Sequence, residues 1–176
     1  GALAFLLLFT PLLEHAIPRL EMWQNPFIDK QGDGWQTVQS LLAIGSGGVF
    51  GLGLGNSRQK HLYVPEPHND FIFSILCEEL GLVGGLIVII LFILLVVRGF
   101  AIAMKAKDKF GSMLALGLTF QVGLQALLNI AVVTNTVPNT GISLPFFSYG
   151  GPSLLMLLGE MGIVLSVSRH ANIEKK

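Results

Sequence analysis

Charge is scarce in this sequence. Only 12% of its 176 residues are Asp, Glu, Lys or Arg, against roughly 25% in soluble domains. Too few charges remain to solvate an ordinary globular surface, and the mean hydropathy of +0.67 agrees. A soluble enzyme is therefore disfavoured and an intrinsically disordered chain excluded. Neither sign dominates: 11 Lys and Arg balance 11 Asp and Glu. That argues against a nucleic-acid partner, which would need a basic face. Cysteine occurs once, at Cys77. It leaves no intramolecular disulfide framework and no cysteine-rich zinc site. The class that survives is a helical membrane protein.

The marks of a signal peptide are missing as well. No basic n-region precedes the first apolar run, and no clean small-residue cleavage site follows it. The chain starts at Gly1, and Glu14 interrupts the run after Leu13, short of the roughly 20 residues a span needs. The expectation is a transmembrane helix cut in its middle, at the head of a fragment of a longer protein.

Long apolar runs, by contrast, are plentiful. Length separates them where periodicity cannot. The expected organisation is a truncated transmembrane helix over residues 1–17 and transmembrane helices over 70–97, 112–134 and 149–168. Between them lie a large extracellular loop, 18–69, a cytoplasmic loop, 98–111, and an extracellular or re-entrant loop, 135–148. A cytoplasmic tail, 169–176, ends the chain. The fold class is an all-α polytopic membrane protein.

Lys and Arg placement orients it. Arg98, Lys105, Lys107 and Lys109 lie in one connection, and Arg169, Lys175 and Lys176 in the tail. These segments fall on one side and read as cytoplasmic. From Glu14 to Glu79 there are eight acids against four basic residues (Arg19, Lys30, Arg58 and Lys60). That stretch reads as facing outside.

A loop of this length is usually functional. It opens on the turn chemistry of Asn25-Pro26 and Gly32-Asp33-Gly34. A short helix is expected over Trp35 to Ile44, with Trp35, Val38, Leu41 and Leu42 on one face, lying in the membrane interface. Six glycines follow between Gly45 and Gly55. Their spacing matches neither the dinucleotide fingerprint nor the P-loop. Two readings stay open: positive backbone φ angles in a membrane-apposed loop, or close approach to a substrate phosphate or sugar. Further on, Pro65 and Pro67 keep the chain extended. Asn69 or Asp70 is suited to cap the next helix, and Asp70 is also a candidate catalytic acid. His61, Glu66, His68 and Asp70 have the chemistry of metal ligands, but their spacing fits no standard site.

Polar groups inside spans are functional candidates by default. Glu78 and Glu79 sit two turns into the second span, and Glu160 near the middle of the fourth. Gln121, Gln125 and Asn129 recur every four residues, so they share one helical face. They serve either interhelical hydrogen bonds or a substrate cavity. Pro138 to Ser153 holds three prolines and three glycines. Backbone of that kind at membrane depth must be buried in protein or line a cavity.

Four motifs occur together and in order: Gly53-Leu-Gly-Asn-Ser-Arg-Gln-Lys60, Pro65-Glu-Pro-His-Asn-Asp-Phe-Ile-Phe73, Glu78-Glu-Leu-Gly81 and Leu144-Pro-Phe-Phe-Ser-Tyr-Gly-Gly151. With Asn25-Pro26, Gln36-Thr-Val-Gln-Ser40 and Val167-Ser-Arg169, they make the chain resemble the SEDS family. This is the family of shape, elongation, division and sporulation proteins that includes FtsW, RodA and SpoVE. Gly-Asn-Ser-x-Gln-Lys looks more like its division and sporulation branch. The resemblance implies the C-terminal portion, four helices and the large loop, of a roughly ten-span protein. Pro152 departs from the family by standing where many members have serine.

The resemblance further implies a peptidoglycan glycosyltransferase that polymerises lipid II, with the fragment alone inactive. By motif, Asp70 matches the family's essential acid. Arg58, Gln59, Lys60, Pro65, Glu66, His68, Ser148, Gly150 and Gly151 fall in the motifs and are expected to contact substrate. Glu79, Gln121, Gln125 and Asn129 are expected to support them. Arg58 and Lys60 would meet the leaving pyrophosphate, with a divalent cation as an alternative source of positive charge; no other cofactor is implied. The implied partners are lipid II, the undecaprenyl-pyrophosphate-linked glycan, a class B penicillin-binding protein and the division or sporulation machinery. Two other roles remain beside this one: a flippase for the lipid-linked precursor, and a division-site membrane scaffold.

Overall fold

The computed structural model describes residues 23–24, 26, 34–57 and 70–171. Residues 1–17, expected as the truncated span, lie outside them. The described residues form four helices: α1 (Trp35–Gly47), α2 (Ile72–Lys105), α3 (Lys109–Val133) and α4 (Gly151–His170). The last three are long and apolar enough to cross a membrane. There is no strand among the described residues.

The helix limits differ from the expected span limits. α2 runs past Arg98 to Lys105, and α3 starts at Lys109. The connection shrinks from residues 98–111 to 106–108. A charge marks where a helix leaves the bilayer, not where its hydrogen bonding stops. Lys105 instead complements the carbonyl end of α2. Asp108 caps α3 by accepting a hydrogen bond from Gly111 N at 2.7 Å.

α2 and α3 form the main pair, and small residues set their separation. A Cβ on Gly99 would lie 2.3 Å from Thr119 Oγ1, and one on Gly123 would lie 2.8 Å from Val96 Cγ2. Within a bilayer such close packing replaces the hydrophobic effect as the source of association. Two buried clusters fill the bundle. At one end, Ile102 and Ala103 of α2 meet Ala115 of α3 and Val164 of α4. Toward the other, Phe71, Phe73, Phe92, Val122, Val133 and Leu144 pack together. An apolar cavity of about 410 Å³ opens between α2 and α3 beside Phe92, Val96, Phe120 and Leu127.

α1 packs against the bundle through its smaller residues. It buries Val38, Gln39, Ser40, Ala43 and Gly47 and leaves Leu42 half exposed. The small residues allow a close crossing with α2, where a Cβ on Gly47 would lie 2.1 Å from Cys77 O. Ser40 Oγ donates to Val133 O at 2.9 Å, satisfying a terminal carbonyl of α3.

α2 is broken at Gly81, whose φ is 70° and ψ −168°. In an intact helix Leu82 N would bond Glu78 O, and Val83 N would bond Glu79 O. Here the glycine segment after α1 enters the break and takes up all four groups. Leu52 N donates to Glu78 O at 2.9 Å and Gly53 N to Glu79 O at 3.0 Å. Leu82 N donates to Gly48 O at 2.9 Å and Val83 N to Val49 O at 3.2 Å. The break therefore leaves none of these four groups unpaired, as burial in protein or membrane demands. The segment 82–105 is about 36 Å long at 1.5 Å per residue, enough to cross a bilayer by itself.

The glycines thus serve backbone geometry. Gly48, Gly51, Gly53 and Gly55 all have positive φ. These angles meet the need for positive φ on which the first of the two open readings rests.

Candidate functional site

Asp70 sits half-buried just ahead of α2. Phe71, not Asn69 or Asp70, takes the N-cap position, and no side chain caps it. The expectation that Asp70 caps this helix is therefore not met. Its carboxylate lies instead beside Gly141, where a Cβ would be 3.7 Å from Asp70 Oδ2. Gly141 has a φ of +67°, and its N–H is held by Asn139 Oδ1 at 3.1 Å.

Two of the three amides on α3 reach this place. Asn129 Nδ2 donates to Asp70 O at 2.8 Å and to Ile142 O at 2.7 Å. Gln125 Nε2 donates to Ser143 O at 3.0 Å. The shared face joins α3 to the segment 139–143 and to the start of α2. Gln121 bonds elsewhere: its Nε2 approaches Glu160 Oε1 at 3.4 Å. Glu160 Oε2 is buried with no hydrogen-bond partner among the described residues.

The turn 144–148 carries the next part of the site. Leu144 and Pro145 are buried. Ser148 closes the turn twice: its Oγ accepts from Leu144 N at 2.7 Å, and its N–H donates to Leu144 O at 3.1 Å. Inside it Phe146 is held at φ 66°, a conformation unusual for a bulky residue and one that clusters at functional sites. Gly150 is extended and precedes α4; Gly151 is its first residue. Pro152 lies in the first turn of α4, where a missing N–H costs no helical bond. Serine is not needed there for the helix to start.

Glu78 and Glu79 flank the break in α2. Glu78 is 1% exposed, and Ser57 Oγ donates to its Oε2. Glu79 Oε1 is buried without a partner among the described residues. The Ser57–Glu78 bond pins the end of the glycine segment directly before Arg58. Ser57→Ala should therefore lower stability by about 1 kcal/mol, read as a fall in the thermal unfolding midpoint in detergent. An unchanged midpoint would show that the strap is held without it.

Arg58, Gln59, Lys60, Pro65, Glu66 and His68 lie outside the described residues. Among the described ones, no three His, Cys, Asp or Glu side chains cluster in a way that would hold a metal. Gly141 and Asn139 went unnoticed in the sequence. The signal for them was the Asn-Thr-Gly turn, whose glycine needs the left-handed region.

The chemistry available is that of a carboxylate, its backbone carbonyl held by Asn129, beside a glycine. Proton acceptance from a hydroxyl fits it.

Comparison with known proteins follows the same residues. The family model described as "Cell cycle protein", covering FtsW, RodA and SpoVE, matches residues 2–173. Stage V sporulation protein E of Bacillus subtilis is 50% identical over 157 residues, 89% of this chain and 43% of that protein. The probable peptidoglycan glycosyltransferase FtsW of Bacillus subtilis is 47% identical over 157 residues, 89% of this chain and 39% of that protein. Among solved structures, a chain of a peptidoglycan synthase complex, described as coordinating polymerization and crosslinking, is similar with a TM-score of 0.69. It is 32% identical, over 96% of this chain and 47% of that one. The rod shape determining protein RodA of Thermus thermophilus is similar with a TM-score of 0.57 and 36% identity, over 77% of this chain and 40% of that one. The chain thus spans about two fifths of the length of the curated relatives it matches.

Proposed function

The chain belongs to the FtsW, RodA and SpoVE family of cell-cycle proteins, and from that premise we propose that it carries the catalytic acid of a peptidoglycan glycosyltransferase. The reaction polymerises lipid II in division or sporulation. The observation that carries this reading is the placement of Asp70. It stands at the head of a membrane-length helix, against Gly141, with its backbone tied to α3.

Asp70 takes the proton from the attacking sugar hydroxyl. The hydroxyl oxygen bonds the anomeric carbon of the growing glycan. The bond from that carbon to the pyrophosphate oxygen breaks, and its electron pair leaves with undecaprenyl pyrophosphate. Arg58 and Lys60 neutralise the leaving group; a divalent cation is the alternative. Gln59, Pro65, Glu66 and His68 contact the substrate. Ser148, Gly150 and Gly151 also contact the substrate, and Glu79 supports the broken helix.

Both substrates are lipid-anchored, so the site belongs at the outer leaflet. Arg98, Lys105, Lys107, Lys109 and Arg169 gather at the far end, where Ile102, Ala115 and Val164 pack together. That supports a cytoplasmic position for this end and for the C-terminus. A class B penicillin-binding protein that crosslinks the product is the proposed partner.

The test supplies lipid II to the reconstituted full-length protein and measures glycan length. Strands of many disaccharides are expected. Movement of lipid II between leaflets without polymer would favour the flippase role. No activity of either kind, with normal partner binding, would favour the scaffold.

A further inference from the structure

We propose that Asn129 is the positioning residue for Asp70. A single amide nitrogen joins the backbone of Asp70 to the segment carrying Gly141, and so sets the space in which the acceptor hydroxyl meets the carboxylate. This inference rests on the reading of Asp70 as the base.

Asn129 is completely buried. Both hydrogens of its amide are in use, one on Asp70 O at 2.8 Å and one on Ile142 O at 2.7 Å. Anchoring of the loop alone does not require it, because Gln125, one turn earlier on α3, already holds Ser143 O. What Asn129 adds is the link to Asp70. The consequence falls next door to Ile142, where Gly141 faces the Asp70 carboxylate. If the two segments of this junction part, the distance from carboxylate to loop changes with them.

Few side chains can do this. Ser offers one donor, ionised Asp none, and Leu fills a similar volume with none. At a site with no exposure, water does not readily replace the missing bonds. The Oδ1 of Asn129 is buried without a partner among the described residues. The two donor bonds are therefore what hold the amide in place.

The experiment uses the full-length protein in lipid nanodiscs, with lipid II as substrate. Turnover is expressed per folded molecule, with folding followed by thermal unfolding. Asn129→Leu and the milder Asn129→Ser are compared with wild type and with Asp70→Asn. Both Asn129 variants should lower kcat about 10- to 100-fold, as misplacement of a reacting group does. KM should stay within about threefold, and the acid limb of the kcat profile against pH should move. A merely structural role would lower the folded fraction and leave those per-molecule quantities alone. Wild-type kcat and an unmoved acid limb in folded Asn129→Ser would overturn the proposal. So would failure of both variants to fold, which would make Asn129 a folding residue. If Asp70→Asn itself turned over normally, the base assignment would fall first. An inactive Asp70→Asn beside fully active Asn129 variants would remove only the positioning role.

Discussion

Asp70→Asn is expected to reduce lipid II polymerisation by about 10²- to 10⁴-fold, the usual contribution of a general base. The substitution is nearly isosteric, and it leaves in place the backbone carbonyl that Asn129 holds. Protein abundance, unfolding midpoint and KM should therefore stay close to wild type while kcat collapses. Asp70→Glu is the informative companion. It keeps the carboxylate and lengthens its arm toward Gly141, which already lies against Asp70 Oδ2. A loss smaller than that of Asn, with the acid limb of the pH profile retained, is expected. Wild-type polymerisation by folded Asp70→Asn would remove Asp70 from the base role altogether.

The second large effect is on stability, at the break in α2. A Cβ on Gly51 would sit 2.1 Å from Glu79 O, and Gly51 has a φ of 79°. A Cβ on Gly81 would sit 2.4 Å from Val49 O and from Gly51 N. In both cases the obstacle is backbone, which cannot swing aside. Gly51→Ala and Gly81→Ala should each cost on the order of 4 kcal/mol or more, combining left-handed strain with overlap. Little folded protein should survive extraction. Gly55→Ala separates the two causes. It has a φ of 81° but nothing within 4 Å, so about 1–2 kcal/mol is expected from conformation alone. Gly45, helical with open space around it, should gain up to about 1 kcal/mol as Ala. Equal midpoints for Gly51→Ala and Gly55→Ala would show that the strap does not occupy the break.

The elements most visible in the sequence are those decided by local chemistry. The long apolar runs became α2, α3 and α4 because length and hydropathy suffice for a span. The spacing of Gln121, Gln125 and Asn129 placed three amides on one face, and all three make hydrogen bonds outside their own helix. The end of α2 was not legible in the sequence: the helix runs past Arg98 to Lys105, because helical hydrogen bonding is indifferent to that charge. In α1 the face packed in the protein is set by small residues. Its leucines are the larger apolar residues, yet Ala43 and Gly47 permit the closer crossing.

The sequence by itself determined the class of protein and its family, because scarcity of charge and ordered motifs are properties of a string. It also singled out Asp70. It did not reveal that α2 breaks at Gly81, that residues 48–53 repair the break, or that Gly141 meets Asp70. The first two facts depend on pairings between backbone groups 26 to 34 residues apart, and a carbonyl or N–H has the same identity in every residue. Which partner it finds is decided only when the helices pack.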